Sequence, residues 1–205
     1  MATLKRDVGA LVKCSPMLTT EERAEIDRLW TRKLEQDAQG LPQADRHRNL
    51  EPASAEFIHA LAAGIEAKRI LEIGGSSGIS TIALAAAARA TGGLVISIEQ
   101  EPVRQADAKE TLSRLGFARQ VDFILADAAT VLPRQAALDF ALIDCEKEDY
   151  IRFFDALRMR PGGIIVADNI ISHSLSDYVA HVRRHPGAES ITLQIGKGLE
   201  VTRVR

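Results

Sequence analysis

The hydrophobic rhythm of the chain changes near residue 69. Before that point apolar positions recur at helical spacing. Ile26, Leu29, Trp30 and Leu34 predict one helix, opened by a capping box between Thr19 and Glu22 and closed at Gly40-Leu41-Pro42. A second helix is predicted after Pro52, with Phe57, Ile58, Leu61 and Ile65 on one face. From residue 69 short apolar runs alternate with helical patterns. Arg69–Ile73, Leu94–Ile98, Val121–Leu125, Phe140–Ile143 and Ile164–Ala167 are near-continuous, as strands of a parallel sheet covered on both faces must be. Ile79–Ala90, Pro102–Leu115, Thr130–Gln135 and Tyr150–Met159 lie between them as crossover helices. A helix near Leu175–His185 follows, then strands Ser190–Ile195 and Leu199–Val204 joined by Gly196-Lys197-Gly198, a hairpin that implies an antiparallel edge. The expected architecture is α/β and doubly wound, with a helical extension over residues 1–50 and a single main domain over 51–205.

Composition narrows the function classes. A chain of 205 residues, 46% hydrophobic, closes one sizeable core. Its formal net charge of -2 provides no basic field for non-specific binding to nucleic acid or membranes, so small-molecule work is expected. No stretch approaches the ~18 apolar residues of a membrane span. Cys14 and Cys145 stand far apart with no CxxC spacing, which argues against a zinc knuckle or a disulfide framework and for a reduced cytoplasm.

The first predicted strand runs directly into Gly74-Gly75-Ser76-Ser77-Gly78, and a helix opens at once, so backbone N–H groups face whatever binds there. The spacing fits a dinucleotide fingerprint poorly. It does satisfy the G-x-S-x-G elbow of a serine hydrolase at Ser76, but only a helical segment precedes the strand, where such an enzyme needs earlier strands for its oxyanion loop. A third ligand class also uses Glu72, an acid placed to meet an ammonium, and Glu99, an acid ending the next strand where a ribose presents its hydroxyls. Glu99 has a competing role as a helix cap. Taken together the two acids and the loop describe a nucleoside carrying an amino acid, the shape of S-adenosylmethionine.

Two further strands end in oxygen ligands, at Asp144 and at Asp168-Asn169. Together they suit a hard divalent ion such as Mg²⁺ or Ca²⁺. Lys147 follows Asp144 and is a candidate general base if neighbouring positive charge lowers its pKa. Glu146, Glu148 and Asp149 read as a solvated charged turn.

These motifs in this order resemble the class I methyltransferases of the catechol and caffeoyl-CoA O-methyltransferase type. The carriers are Leu71-Glu72-Ile73-Gly74 with Ser80, Ile98-Glu99, Ala126-Asp127-Ala128, Ile143-Asp144 with Lys147 and Tyr150, Pro161-Gly162-Gly163 and Ala167-Asp168-Asn169. The resemblance implies a Rossmann-like seven-stranded sheet and a homodimer. It implies that Glu72, Gly74, Gly75 and Ser80 hold the methionine end, Glu99 the ribose, and Asp127 and Ala128 the adenine. Asp144 would serve both cofactor and metal, Asp168 and Asn169 would complete the metal site, and Lys147 would take the acceptor's proton. The expected reaction is metal-assisted methylation of a hydroxyl on a catechol-like small molecule. Alternatives are a metal-independent methyltransferase acting on a carboxylate, amine or thiol, and a binding module without turnover. Lys197 stands where the family usually carries an aspartate. Trp30, Arg46, His47 and Arg48 fall near the expected entrance, where they would meet an acidic acceptor or simply face solvent.

Overall fold

A computed structural model describes residues 18–42 and 45–205; Cys14 lies outside them. Its elements, in chain order, are α1 (Thr20–Ala38), α2 (Pro52–Gly64), β1 (Arg69–Ile73), α3 (Ile79–Thr91), β2 (Leu94–Glu99), α4 (Pro102–Arg114), β3 (Val121–Leu125), α5 (Ala128–Val131), β4 (Leu138–Ile143), α6 (Tyr150–Ala156), β5 (Met159–Ala167), α7 (Ser176–Arg184), β6 (Ala188–Leu193) and β7 (Leu199–Val204). The strands form one seven-stranded sheet in the order β3-β2-β1-β4-β5-β7-β6. β3 to β5 are mutually parallel, and β7 runs antiparallel to both β5 and β6. The sequence order reverses between β1 and β4, which is where a doubly wound sheet opens a crevice. Ile73 pairs with Ile98 on one side and Ile143 on the other, so the strand ends stand level around that crevice.

Alternate residues of the buried strands face opposite layers. Along β4, Phe140 and Leu142 join the core under α1 to α4, while Ala141 and Ile143 join the core under α5 to α7. β5 repeats this with Ile164 and Val166 against Ile165 and Ala167. Helix α3 is buried from Ile79 to Ala88, and its alanines let α2 lie close against it. The capping box is present: Thr19 Oγ1 accepts from Glu22 N at 3.2 Å and Glu22 Oε2 accepts from Thr19 N at 2.9 Å. Glu22 also takes Arg89 of α3 at 2.5 Å, which ties α1 to the main body.

Four expected boundaries shift. Pro133 cuts the helix foreseen at Thr130–Gln135 into α5 and a 3₁₀ turn, Leu132–Arg134. The helix foreseen to Met159 ends at Ala156, because Met159 already pairs with Leu138 in the sheet. β5 thus runs through Pro161-Gly162-Gly163, and a register irregularity between Leu138 and Phe140 accommodates it. The strand foreseen at Ser190–Ile195 is Ala188–Leu193, with Ile195 in the turn. No helix among the described residues is long and apolar enough to cross a membrane.

Asp139 fastens the far end of β1 to β4. Its Oδ2 accepts the N–H groups of Lys68 and Arg69 at 2.6 and 2.8 Å, and Oδ1 pairs with Arg160. Burial raises its carboxyl, but those donors together outweigh burial and hold it below the ordinary range. Asp139→Ala leaves two backbone donors without acceptors and is expected to cost about 2 kcal/mol in denaturant unfolding. A depressed carboxylate stabilises above its unfolded pKa, so the gap between wild type and variant should close as pH falls below about 4.

Candidate active site

The crevice at the strand ends encloses about 430 Å³. One half is built by the loop after β1. Gly74 has φ +91, and a Cβ there would stand 2.0 Å from the Asp144 carbonyl oxygen, so only glycine lets β1 turn against the end of β4. Gly74→Ala must push the Asp144 backbone away; we expect a stability loss of about 3 kcal/mol or more by thermal unfolding, with the crevice deformed. Ser76, itself at φ 46, donates its N–H to Glu99 Oε2 at 2.8 Å. Glu99 Oε1 takes the N–H groups of Gln100 and Glu101 at 2.8 and 3.0 Å. Glu99 therefore faces the crevice with its carboxylate aligned by three backbone donors.

Glu72 does not line the crevice. β1 turns it to the same face as Ile70, beneath the loop, where the Thr81 and Ser97 hydroxyls donate to its Oε2 at 2.7 and 2.5 Å. Burial pushes its carboxyl up, and the hydroxyls of Ser80, Ser97 and Thr81 oppose this. The acid expected at a ligand's ammonium thus braces the loop from below. Ser80 is buried on that side, and Gly75 lies directly above Ser97 Oγ and Glu72 Oε2. Asp127 is likewise off the crevice wall: it is exposed and caps α5 by accepting Ala129 N–H at 2.8 Å, while Ala126 and Ala128 form the wall.

The other half is the corner of β4 and β5. Asp144 N–H bonds Ile73 O at 2.9 Å and Asp168 N–H bonds Ile143 O at 3.1 Å, which carries the strand pairing one residue further and brings both acids to one place. Asn169, at φ 63, donates from Nδ2 to Asp144 Oδ1 at 2.8 Å. Lys147 Nζ donates to Tyr150 Oη at 2.7 Å and to Cys145 O at 3.0 Å, and lies 3.5 Å from Asp144 Oδ1. Tyr150 Oη in turn donates to Asp168 O at 3.2 Å. Burial raises the Asp144 carboxyl, opposed by Lys147 and Arg48. Asp168 is pushed up to about 8, first by burial and then by the charge on Asp144, and its Oδ1 is buried with no hydrogen-bond partner. The corner offers two carboxylates and an amide; no group of three or more His, Cys, Asp or Glu able to hold a metal occurs among the described residues. Burial also pushes the Cys145 thiol far up, so it is no nucleophile.

The segment before α2 roofs the loop. Arg48 N–H donates to Ser76 Oγ at 3.0 Å, and Asn49 Nδ2 donates to Ser77 Oγ at 2.8 Å. The Arg48 guanidinium spans the crevice to Glu146. Glu146 is therefore not merely a member of a solvated turn, and Arg48 is not merely a surface cation. The hydrolase alternative finds no support at Ser76: its Oγ meets a backbone donor, and His173 Nδ1 lies 2.8 Å from the hydroxyl of Ser172 instead.

A family profile described as O-methyltransferase matches residues 24–200. The chain belongs to the O-methyltransferase family. Among relatives of that kind, a catechol O-methyltransferase of Niastella koreensis is 37% identical over 130 residues, 60% of this chain and 58% of the relative. A catechol O-methyltransferase of Mycobacterium tuberculosis is 34% identical over 156 residues, 68% of this chain and 70% of the relative. The match thus spans less than two thirds of the first relative's length. A solved, cofactor-bound protein from MTB superimposes with a TM-score of 0.76 at 26% identity, over 96% of this chain and 93% of that one. The family fold and the crevice at the β1–β4 switch point coincide with the sequence expectation.

Proposed function

We propose that the chain is an S-adenosylmethionine-dependent O-methyltransferase acting on a small, catechol-like acceptor, and that its acceptor corner takes a divalent cation. The observation that carries this reading is the meeting of two unlike halves in one crevice. Gly74, Ser76, Glu99, Ala126 and Ala128 line one half, and Asp144, Lys147 and Asn169 line the other. The first half suits a nucleoside, since Glu99 keeps lone pairs for a ribose hydroxyl beyond its three N–H donors. The relatives' names supply the acceptor class. Cys145 is a free thiol, in keeping with a reduced cytoplasm.

The corner fits a cation. Two like charges in close company, one with an unpartnered buried oxygen, are costly unless positive charge joins them, and Lys147 comes within ion-pair distance of Asp144 but not of Asp168. Asp144, Asp168 and Asn169 would hold Mg²⁺ or Ca²⁺ through hard oxygens. Such an ion supplies charge that favours the ionised form of an acceptor hydroxyl. The chain's own residues do the rest. Lys147, in its neutral form, accepts the hydroxyl proton. The crevice walls hold the oxygen behind the methyl carbon, so that the oxygen–carbon bond forms as the carbon–sulfur bond breaks and its electron pair stays on sulfur.

The test is transfer of a labelled methyl group from S-adenosylmethionine to catechols and hydroxycinnamoyl thioesters, with Mg²⁺ and with a chelator. Transfer that the chelator abolishes is expected. Undiminished transfer under chelation would leave a metal-independent methyltransferase, and no transfer to any acceptor would remove the enzyme assignment.

A further inference from the structure

The cations along the crevice wall are already engaged, with one exception among the described residues. Lys33 and Arg46 share Asp37, Arg48 takes Glu146, Lys147 takes Asp144, and Arg104 is engaged as well. Lys197 also lines the crevice and is half-buried, yet its ammonium makes no hydrogen bond or ion pair. With no partner at hydrogen-bond or ion-pair distance, a partly desolvated ammonium there gains from an anion that joins it.

The base of this side chain is firm. Lys197 sits at the turn between β6 and β7, and its carbonyl accepts the N–H groups of Ile171 and Ser172, both at 3.1 Å. Gly198 on one side is bonded to Ile195 O at 2.9 Å and to Ile170 N–H at 3.0 Å. The charge therefore has a fixed origin, as a specificity element needs. It stands at the acceptor corner: the turn is bonded through Lys197 O and Gly198 O to Ile170, Ile171 and Ser172, the residues that directly follow Asp168-Asn169, and Lys197 lines the crevice beside them. A cation at the carboxylate pair, as proposed above, would make this corner more positive still.

We infer that Lys197 recognises an anionic group on the acceptor, and that the acceptor is a vicinal aromatic diol bearing a carboxylate apart from the oxygen that is methylated. The inference rests on the methyltransferase reading and narrows its substrate class. A carboxylate on the ring lets the substrate supply the direct partner that no protein side chain provides, and it gives the diol a preferred orientation in the crevice. Nothing in this role requires Lys197 to touch the reacting atoms; it is a specificity residue.

The experiment compares 3,4-dihydroxybenzoate with its methyl ester at pH 7.5, in wild type, Lys197→Met and Lys197→Arg. The quantity read is the ratio of kcat/KM for acid over ester, in which the intrinsic reactivity of each ring cancels between proteins. Lys197→Met should lower that ratio about tenfold, the weight of one partly desolvated charge pair, and Lys197→Arg should keep it within about threefold of wild type. A ratio unchanged in Lys197→Met overturns the inference even when both compounds are good substrates. Binding of acid and ester is titrated by calorimetry in parallel, with S-adenosylhomocysteine present. If neither compound is methylated the methyltransferase reading is in difficulty, and the binding ratio alone then decides: a tenfold fall in Lys197→Met upholds anion recognition, and equal or absent binding removes it.

Discussion

Asp168→Asn should make the metal-free protein more stable at pH 8 while removing most of its methyl transfer. The stability half follows from the position of Asp168, buried beside Asp144 with an unpartnered oxygen. Burial and the neighbouring charge push its carboxyl to about 8, against about 3.9 in an unfolded chain. Between those values the native state binds more protons than the unfolded one, so stability falls as pH rises through the window. The asparagine variant has no charge to bury. Its advantage should be absent near pH 4, grow through neutrality and level off above about 8, reaching about 1–3 kcal/mol. At roughly 2–4 °C per kcal/mol for a chain of this size, thermal unfolding in chelator at pH 6 and pH 8.5 resolves it. Saturating Mg²⁺ should narrow the gap, because on the proposed ligand set the wild type, with one carboxylate more, gains more from the ion. The activity half follows if the same oxygen holds the proposed cation: its loss is then expected to cost roughly 10²–10³-fold in kcat/KM. A variant less stable than wild type at pH 8.5 in chelator would show that the buried charge is not a burden. Full activity would show that Asp168 holds nothing the reaction needs.

The same corner shows what could and could not be read along the chain. The strands were legible because parallel strands covered on both faces are apolar without interruption, and their ends marked Gly74, Glu99, Asp144 and Asp168 as neighbours. That uninterrupted pattern also hid something. With Ile70, Leu71 and Ile73 all buried, nothing in β1 tells which face Glu72 takes, and it faces the α3 layer rather than the crevice. Pro161-Gly162-Gly163 reads as a turn, so the early start of β5 is visible only once Met159 pairs with Leu138. Asp127 falls between two residues of the crevice wall, but a residue one short of a helix is drawn to its N–H groups, and the side chain caps α5 instead.

Contacts distant in sequence leave no local trace. Glu146, in a run of four charged residues, has the composition of a solvated turn, and only the folded chain brings Arg48 across to it. Asn49 carries no pattern at all, yet its amide clamps Ser77 and so helps set the loop that Gly74 begins. These contacts give the segment before α2 a part in the crevice that neither its polar composition nor its place outside the sheet suggested. A site assembled from strand ends is announced by the strands; its roof is announced by nothing nearby.

Lys147→Met should lower kcat for methyl transfer by roughly 10²–10⁴-fold, the range for loss of a positioned proton acceptor. Methionine keeps the length and the packing on Tyr150 but neither holds nor accepts a proton. In the structure the ammonium is shared by Asp144 Oδ1, Cys145 O and Tyr150 Oη, all acceptors, so its nitrogen is held at the acceptor corner. That arrangement makes a specific demand on the kinetics. If Lys147 takes the hydroxyl proton, kcat falls in the variant while KM for the acceptor moves little. If it only orients the acceptor, the variant loses affinity instead, raising KM for the acceptor with kcat little changed. S-adenosylmethionine binding, measured directly, should differ by no more than about twofold, because the donor half is built from the Gly74 loop and Glu99. Removing Lys147 also strips Asp144 of its nearest positive charge, so tighter divalent binding is expected beside the lost turnover, and an isothermal titration with Mg²⁺ separates the two effects. A Lys147→Met enzyme with full kcat would transfer the base role to the solvent.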